Sequence, residues 1–100
     1  NGKLVANEMA PRVHNSGHIT IEACVTSQFE QHLRAITNQS LGKVNLIKPA
    51  IMNNLIGNDI NNTQFIKSKK IFSNFKKSKL HNYKKAEVKS GRKMGHITFI

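Results

Sequence analysis

The stretch SQFEQHLRAITN, residues 27–38, carries a helix start, an apolar stripe and a helix stop in twelve residues. Ser27 with Glu30 three positions on is a capping box, in which a hydroxyl and a carboxylate satisfy free N–H groups of the first turn. Phe29, Leu33 and Ile36 then recur at helical spacing. The pattern predicts a helix over about 27–37, stopped at Asn38. On its N-terminal side lies NEMAPRVHNSGH, residues 7–18. That segment gathers a carboxylate, an arginine, two histidines, two amides and a serine around a proline and a glycine. Few of these residues favour regular structure, so it reads as a polar loop.

Working outward, KLVA at residues 3–6 reads as a short strand feeding that loop, and ITIEAC at 19–24 is ambiguous between strand and helix. QSLGK, residues 39–43, is a linker or turn. AIMNNLIG, residues 50–57, reads as a buried strand ended by Gly57 and the turn-forming pair Asn58 and Asp59. Asn62 or Thr63 caps a short helix reaching about Phe72. KSKLHNY (77–83) and the terminal RKMGHITFI (92–100) read as strands joined by the turn VKSGR. There are no internal repeats.

One hundred residues are enough for a single domain with a modest core. No apolar run approaches the ~20 residues a membrane helix needs. The chain opens on polar NGK without an apolar leader, and NGKLVANE without an initiator Met reads as the middle of a domain. Cys24 is the only cysteine, so no internal disulfide forms, which fits the cytoplasm. A buried, inert thiol is its simplest role.

The net charge of +11 suggests an anionic partner. Against that, thirteen of the sixteen cations are Lys and only three are Arg, the residue better suited to bidentate recognition of phosphates and bases. Twelve Asn and eleven Ile accompany them, the composition an AT-rich genome imposes on any protein. Residues 67–93 hold eleven cations against the single acid Glu87. Six aromatics and no Trp weaken a base-stacking role. A small basic nucleic-acid-binding module, or a scaffold without ligand, is the alternative to an enzyme.

Two constellations carry chemistry. Asn7 and Glu8 present adjacent hard oxygens that suit Mg²⁺. Arg12 supplies a fork for phosphate or carboxylate, and His14, Asn15 and Ser16 add donors and acceptors. Such a set could hold a phosphorylated substrate around a metal; it could equally be a loop that satisfies itself and caps the next helix. Zinc at His14 and His18 is disfavoured, because NSG between them opposes a helix and no second ligand pair follows. No pattern supports Cys24 as a nucleophile, and His32 and His81 read as structural or surface residues. The second constellation, YKKAEVKSGRKMGH (83–96), is either a solvated hairpin turn or a phosphate clamp of Lys85, Arg92 and Lys93.

Together these segments resemble a known family. NEMAPRVHNSGHITIEACVTSQFEQHLRAI, followed by AIMNNLIG and YKKAEVKSGRKMGHI, resembles the C-terminal part of 5-(carboxyamino)imidazole ribonucleotide synthases. These are ATP-grasp ligases, also described as the ATPase subunit of phosphoribosylaminoimidazole carboxylase. The resemblance covers nearly the whole chain and is loosest over 58–82. It implies an α+β fold: residues 1–42 as the C-terminal end of an ATP-grasp domain (strand, loop, helix), then residues 43–100 as a small β-rich domain of the single-hybrid-motif type. It implies a role in de novo purine biosynthesis, with ATP, bicarbonate and 5-aminoimidazole ribonucleotide as substrates, Mg²⁺ as cofactor and carboxyphosphate as intermediate.

By the same resemblance Asn7 and Glu8 are Mg²⁺–ATP ligands. Glu8 and Arg12 act on the reacting charge, and Arg12, His14, Asn15 and Ser16 meet the ribonucleotide and carboxyphosphate. Lys85 and Arg92, with Lys93 beside them, hold the 5′-phosphate. Lys84 stands where the family has Gly, and Lys89 and Ser90 stand where it has Arg and Pro. The family's N-terminal domain, ATP lid, adenine site and second metal-binding Glu have no counterpart here, so the isolated chain is expected to be inactive. A homodimer, no specific nucleic acid and no membrane complete the expectation.

Overall fold

The computed structural model describes residues 1–100. Its helix of firmest expectation, α2 (Gln28–Ile36), begins where its chemistry says. The Ser27 side chain accepts from the Glu30 N–H at 3.2 Å. The reciprocal half of the capping box is absent; the Glu30 carboxylate pairs with Arg34 at 2.8 Å instead, one turn along. At the far end Asn38 adopts φ +58°, and the Gln39 N–H returns to the Arg34 carbonyl at 2.8 Å. This is the left-handed stop that Asn tolerates better than most residues. The ambiguous 19–24 segment resolves as a single helical turn, α1 (Thr20–Ala23).

The strand expected at residues 3–6 does not form; residues 1–10 are extended, exposed and without regular structure. A strand needs a ladder partner for its backbone groups, and this chain offers none there. That extended arm helps explain a radius of gyration of 15.4 Å, against about 13 Å for a compact domain of this length.

The C-terminal half is built on a three-stranded antiparallel sheet of β1 (Ile51–Ile56), β2 (Ser78–Asn82) and β3 (Lys93–Phe99), in the order β1-β3-β2. The terminal strand is therefore central. Ile97 faces Asn53 on one side and Leu80 on the other, and His96 faces His81. β1 ends in an irregularity between Leu55 and Ile56. There Gly57 turns the chain at φ +55°, against the backbone of Lys89 and Ser90, a conformation that favours glycine.

The expected helix from 62 to about 72 is shorter than its pattern. α3 spans Thr63–Lys67, and a separate 3-10 turn covers Lys70–Phe72. Asn62 does not cap it through its side chain, which donates to the Asn58 carbonyl at 3.1 Å. At five residues α3 is too short to act as the groove-reading helix that the nucleic-acid alternative needs.

Side-chain alternation along β3 gives the sheet two different buried faces. Ile97 and Phe99 join Leu55, Ile66 and Phe72 in the apolar core, where the Phe72 and Phe99 rings stack 3.8 Å apart. Met94, His96 and Thr98 point the other way and are as deeply buried. What covers that second face is the N-terminal half. The Ile47 N–H donates to the Ala23 carbonyl at 2.7 Å, Cys24 bridges Leu46, and Glu22 reaches His81. No helix is long and apolar enough to cross a membrane.

Candidate active site

The polar loop of residues 7–18 ends in a 3-10 turn, Asn15–Gly17, entered through His14. The ring Nδ1 of His14 accepts the Ser16 N–H at 3.2 Å and lies 2.8 Å from the Ser16 hydroxyl. With Nδ1 occupied as an acceptor, the proton sits on Nε2, and the free edge of His14 is a hydrogen-bond donor. Glu8, Arg12, His14 and Ser16 line one small cavity of about 260 Å³ together with Ala10. Four of the expected residues are thus brought together, two of them an acid and a base of opposite charge. Asn7 is exposed and does not line that cavity. Asn15 does not line that cavity; its side chain neighbours the Tyr83 hydroxyl. Arg12 also borders a larger cavity of about 450 Å³ between α2 and residues 41–44, with Cys24 and His32 in its wall. Cys24 is half-buried.

The second constellation occupies the connection from β2 to β3. The Lys85 ammonium donates to the Lys93 carbonyl at 2.6 Å, and the Arg92 guanidinium reaches the Glu87 carbonyl at 3.4 Å. These contacts use backbone oxygens and leave the cationic charges without a carboxylate partner. Lys84 adopts φ +54° and donates its N–H to the Asn82 side chain at 2.8 Å. The positive φ explains why a glycine suits that position, as the resemblance has it.

Between the two constellations lies an aromatic cluster that local sequence patterns did not reveal. His81 and His96 stack at 4.5 Å, His18 lies 5.4 Å from His96, and the Tyr83 hydroxyl meets His96 Nδ1 at 2.7 Å. Burial, reinforced by His81 and His18 and opposed by Glu22, lowers His96 to about 4. Burial also lowers His18, with His81, Lys93 and His14 adding to it. Burial raises Tyr83, and the Asn15 side chain opposes the rise. His18, Tyr83 and His96 are therefore neutral near pH 7.

Glu22, His81 and His96 each bring a ligand atom within 4.8 Å of the others. The two rings lie only 22° from parallel, however, so their in-plane lone pairs do not converge on one ion. The cluster suits stacking and hydrogen bonding better than coordination. The Nδ1 atoms of His14 and His18 are taken by Ser16 and by Gln28, the latter at 2.7 Å. His81 and His96 could have been paired from sequence only by aligning two antiparallel strands. Gln28, in the first turn of a helix, gives no sequence signal at all.

Comparison with known proteins accords with this arrangement. Residues 50–100 match the family described as phosphoribosylaminoimidazole carboxylase C-terminal domain, and residues 1–29 match the ATP-grasp domain. N5-carboxyaminoimidazole ribonucleotide synthase of Bacillus subtilis is 50% identical over 99 residues, covering 99% of this chain and 25% of the relative. The phosphoribosylaminoimidazole carboxylase ATPase subunit of Aquifex aeolicus superposes with a TM-score of 0.78 at 40% identity, over 99% of this chain and 29% of that one. The Aspergillus clavatus N5-carboxyaminoimidazole synthase, solved with ADP and 5-aminoimidazole ribonucleotide, gives 0.71 at 38% identity over 87% of this chain and 24% of that one.

The fold is thus an ATP-grasp tail joined to a small α+β unit with an antiparallel sheet. The chain belongs to the phosphoribosylaminoimidazole carboxylase C-terminal domain family. It spans about a quarter of the length of the curated relatives it matches.

Proposed function

We propose that this chain forms the C-terminal part of an ATP-dependent ligase of de novo purine biosynthesis, carboxylating the amino group of 5-aminoimidazole ribonucleotide. The observation that carries the reading is the cavity shared by Glu8, Arg12, His14 and Ser16 in the N-terminal half, with the cations of residues 85–93 in the C-terminal half. In the reaction a bicarbonate oxygen attacks the γ-phosphorus of ATP and ADP leaves. The amino nitrogen then attacks the carboxyl carbon of carboxyphosphate, the carbon–oxygen bond to phosphate breaks, and phosphate departs. Such transfers depend on positioning and on neutralising moving charge.

Arg12 would face the carboxyphosphate, and the Nε2–H of His14 would donate to one of its oxygens. His14 is a donor here rather than a base, because its Nδ1 lone pair is already used. Asn15 and Ser16 complete the ribonucleotide-facing loop. Lys85, Arg92 and Lys93 would hold the 5′-phosphate. The hard-oxygen donors of Asn7 and Glu8 fit Mg²⁺, which would neutralise the nucleotide phosphates.

On this reading residues 1–42 close the ATP-grasp domain and residues 43–100 form the C-terminal domain, of single-hybrid-motif type. The complete enzyme works in the cytoplasm as a homodimer. The test is ADP release by the complete protein: it should require both bicarbonate and the ribonucleotide. Release independent of the ribonucleotide would sink the assignment.

A further inference from the structure

The loop of residues 14–18 closes on itself through His14 and Ser16, and one side chain from α2 ties it to the rest of the fold. Gln28 Oε1 accepts the His14 N–H at 2.9 Å, and Gln28 Nε2 donates to the His14 carbonyl at 2.6 Å. The other hydrogen of the same Nε2 points to His18 Nδ1 at 2.7 Å. The amide thus pairs with one residue's backbone as a neighbouring strand would, and spends its remaining donor on an imidazole. Because Gln28 donates, His18 accepts at Nδ1 and carries its proton on Nε2. The clamp is itself anchored: the Gln28 N–H donates to the Thr20 hydroxyl at 2.9 Å, and that hydroxyl donates to the Gly17 carbonyl at 2.5 Å.

Gly17 is explained by the same contact. A Cβ there would collide with the Gln28 carboxamide oxygen, so the turn and the clamp fit only together. One helical turn further, Gln31 makes the same two-point pairing with Gly42, at 2.8 and 2.9 Å. Gln31 has no third bond to an imidazole and holds the segment leading out of α2, not the loop of the candidate site.

We propose that Gln28 is a positioning residue that fixes the main chain of His14 and the tautomer of His18, and so presents His14, Asn15 and Ser16 to the phosphorylated substrate. The substrate part of this inference rests on the functional reading above; the clamp does not. Gln28→Met keeps length and removes all three bonds. Gln28→Glu keeps the acceptor for the His14 N–H but loses both donors, and draws a proton onto His18 Nδ1. In the complete enzyme, Gln28→Met should lower kcat/KM for the ribonucleotide by about tenfold or more, with the KM for ATP unchanged. Gln31→Met, the control, should stay within about twofold of wild type.

Imidazole ¹⁵N NMR gives an independent readout. His18 Nδ1 should resonate as an unprotonated nitrogen in wild type and shift toward a protonated one in Gln28→Glu. A double-variant cycle guards against a variant that fails to fold. Gly17→Ala should lower the melting temperature strongly beside Gln28 and much less in a Gln28→Ala background. Unmoved His18 signals, additive losses in the cycle, or a Gln28→Met enzyme with wild-type kinetics would each overturn the proposal. If the wild-type enzyme shows no ribonucleotide-dependent turnover, the functional reading fails; the His18 signals and the cycle still decide the clamp.

Discussion

His81 Nε2 lies 3.0 Å from a carboxylate oxygen of Glu22, fifty-nine residues earlier in the chain. The contact ties α1 to β2, so it joins the half that carries the polar loop to the half that carries the cationic turn. Glu22 is the more buried partner, its side chain 9% exposed against 32% for His81. Glu22→Gln keeps a hydrogen bond and should cost little. Glu22→Ala leaves the imidazole beside an empty space and should cost about 1–3 kcal/mol. Chemical denaturation of the two variants measures the difference; equal stabilities would show that the contact contributes nothing.

The neighbouring imidazole sets a pH dependence whose sign is fixed. The fold holds His96 neutral down to about 4, whereas an unperturbed histidine protonates near 6.5. Between those values the unfolded chain binds more protons than the folded one. Stability is therefore complete above pH 6.5 and falls as pH drops toward 4, at up to about 1.4 kcal/mol per pH unit for one such group. The lowered His18 acts in the same direction. Melting temperature followed from pH 7 to 4 should decline over this window, and His96→Phe should flatten the decline. A slope that the variant leaves untouched would assign the effect elsewhere.

What was legible in the sequence was what is local. The start of α2 follows from Ser27 and its stop from Asn38, each acting on backbone groups within one turn. The end of β1 follows from Gly57. The strand expected at 3–6 does not form because a short apolar run does not by itself supply a ladder partner. The clamp by Gln28 and the stack of His81 on His96 are contacts between distant segments, and residue type alone does not announce them. The loop of residues 7–18 was legible as an irregular polar segment, and His14, Ser16 and His18 in it do find hydrogen-bond partners.

Lys84 offers a direct check on backbone strain. Its φ of +54° is a conformation in which a Cβ crowds the following carbonyl. Lys84→Gly should stabilise the chain by about 0.5–1 kcal/mol, the relief of strain being partly offset by the greater freedom of glycine when unfolded. Gly91→Ala, at φ +75°, should move stability the other way. Urea midpoints with unchanged slope would report both; a destabilised Lys84→Gly would mean that the lysine stem packs more than its exposure suggests.

The two constellations should separate in kinetics of the complete enzyme. Glu8 and Arg12 are proposed to act where charge moves, so Glu8→Gln and Arg12→Ala should lower kcat with little loss of folding. The ribonucleotide's 5′-phosphate keeps its charge throughout. Lys85→Ala and Arg92→Ala should therefore raise its KM, by about tenfold each for a lost charged hydrogen bond, with kcat less affected. Unchanged ribonucleotide KM in both variants would remove the clamp assignment.

The isolated chain should behave differently from the complete enzyme. In-line phosphoryl transfer needs nucleotide, metal and acceptor held together, and this chain supplies one cavity with Glu8 and Arg12. It should show no bicarbonate-dependent ATP hydrolysis, although phosphate or sulfate should bind weakly near Arg12 or near Lys85, Arg92 and Lys93. Its apolar surface has a second consequence. Leu33 and Ile36 on α2 are 58% and 65% exposed, and Leu4, Val5 and Met9 lie bare along the N-terminal arm. Apolar side chains gathered in this way seek a partner, so the chain should self-associate through α2 as its concentration rises. Light scattering follows the mass. Leu33→Lys with Ile36→Lys should restore a monomer without loss of the helix, because both side chains already face solvent. A monomeric wild type at high concentration would remove the pairing, and measurable ATP turnover would show that the quarter of its relatives' length spanned by this chain suffices for it.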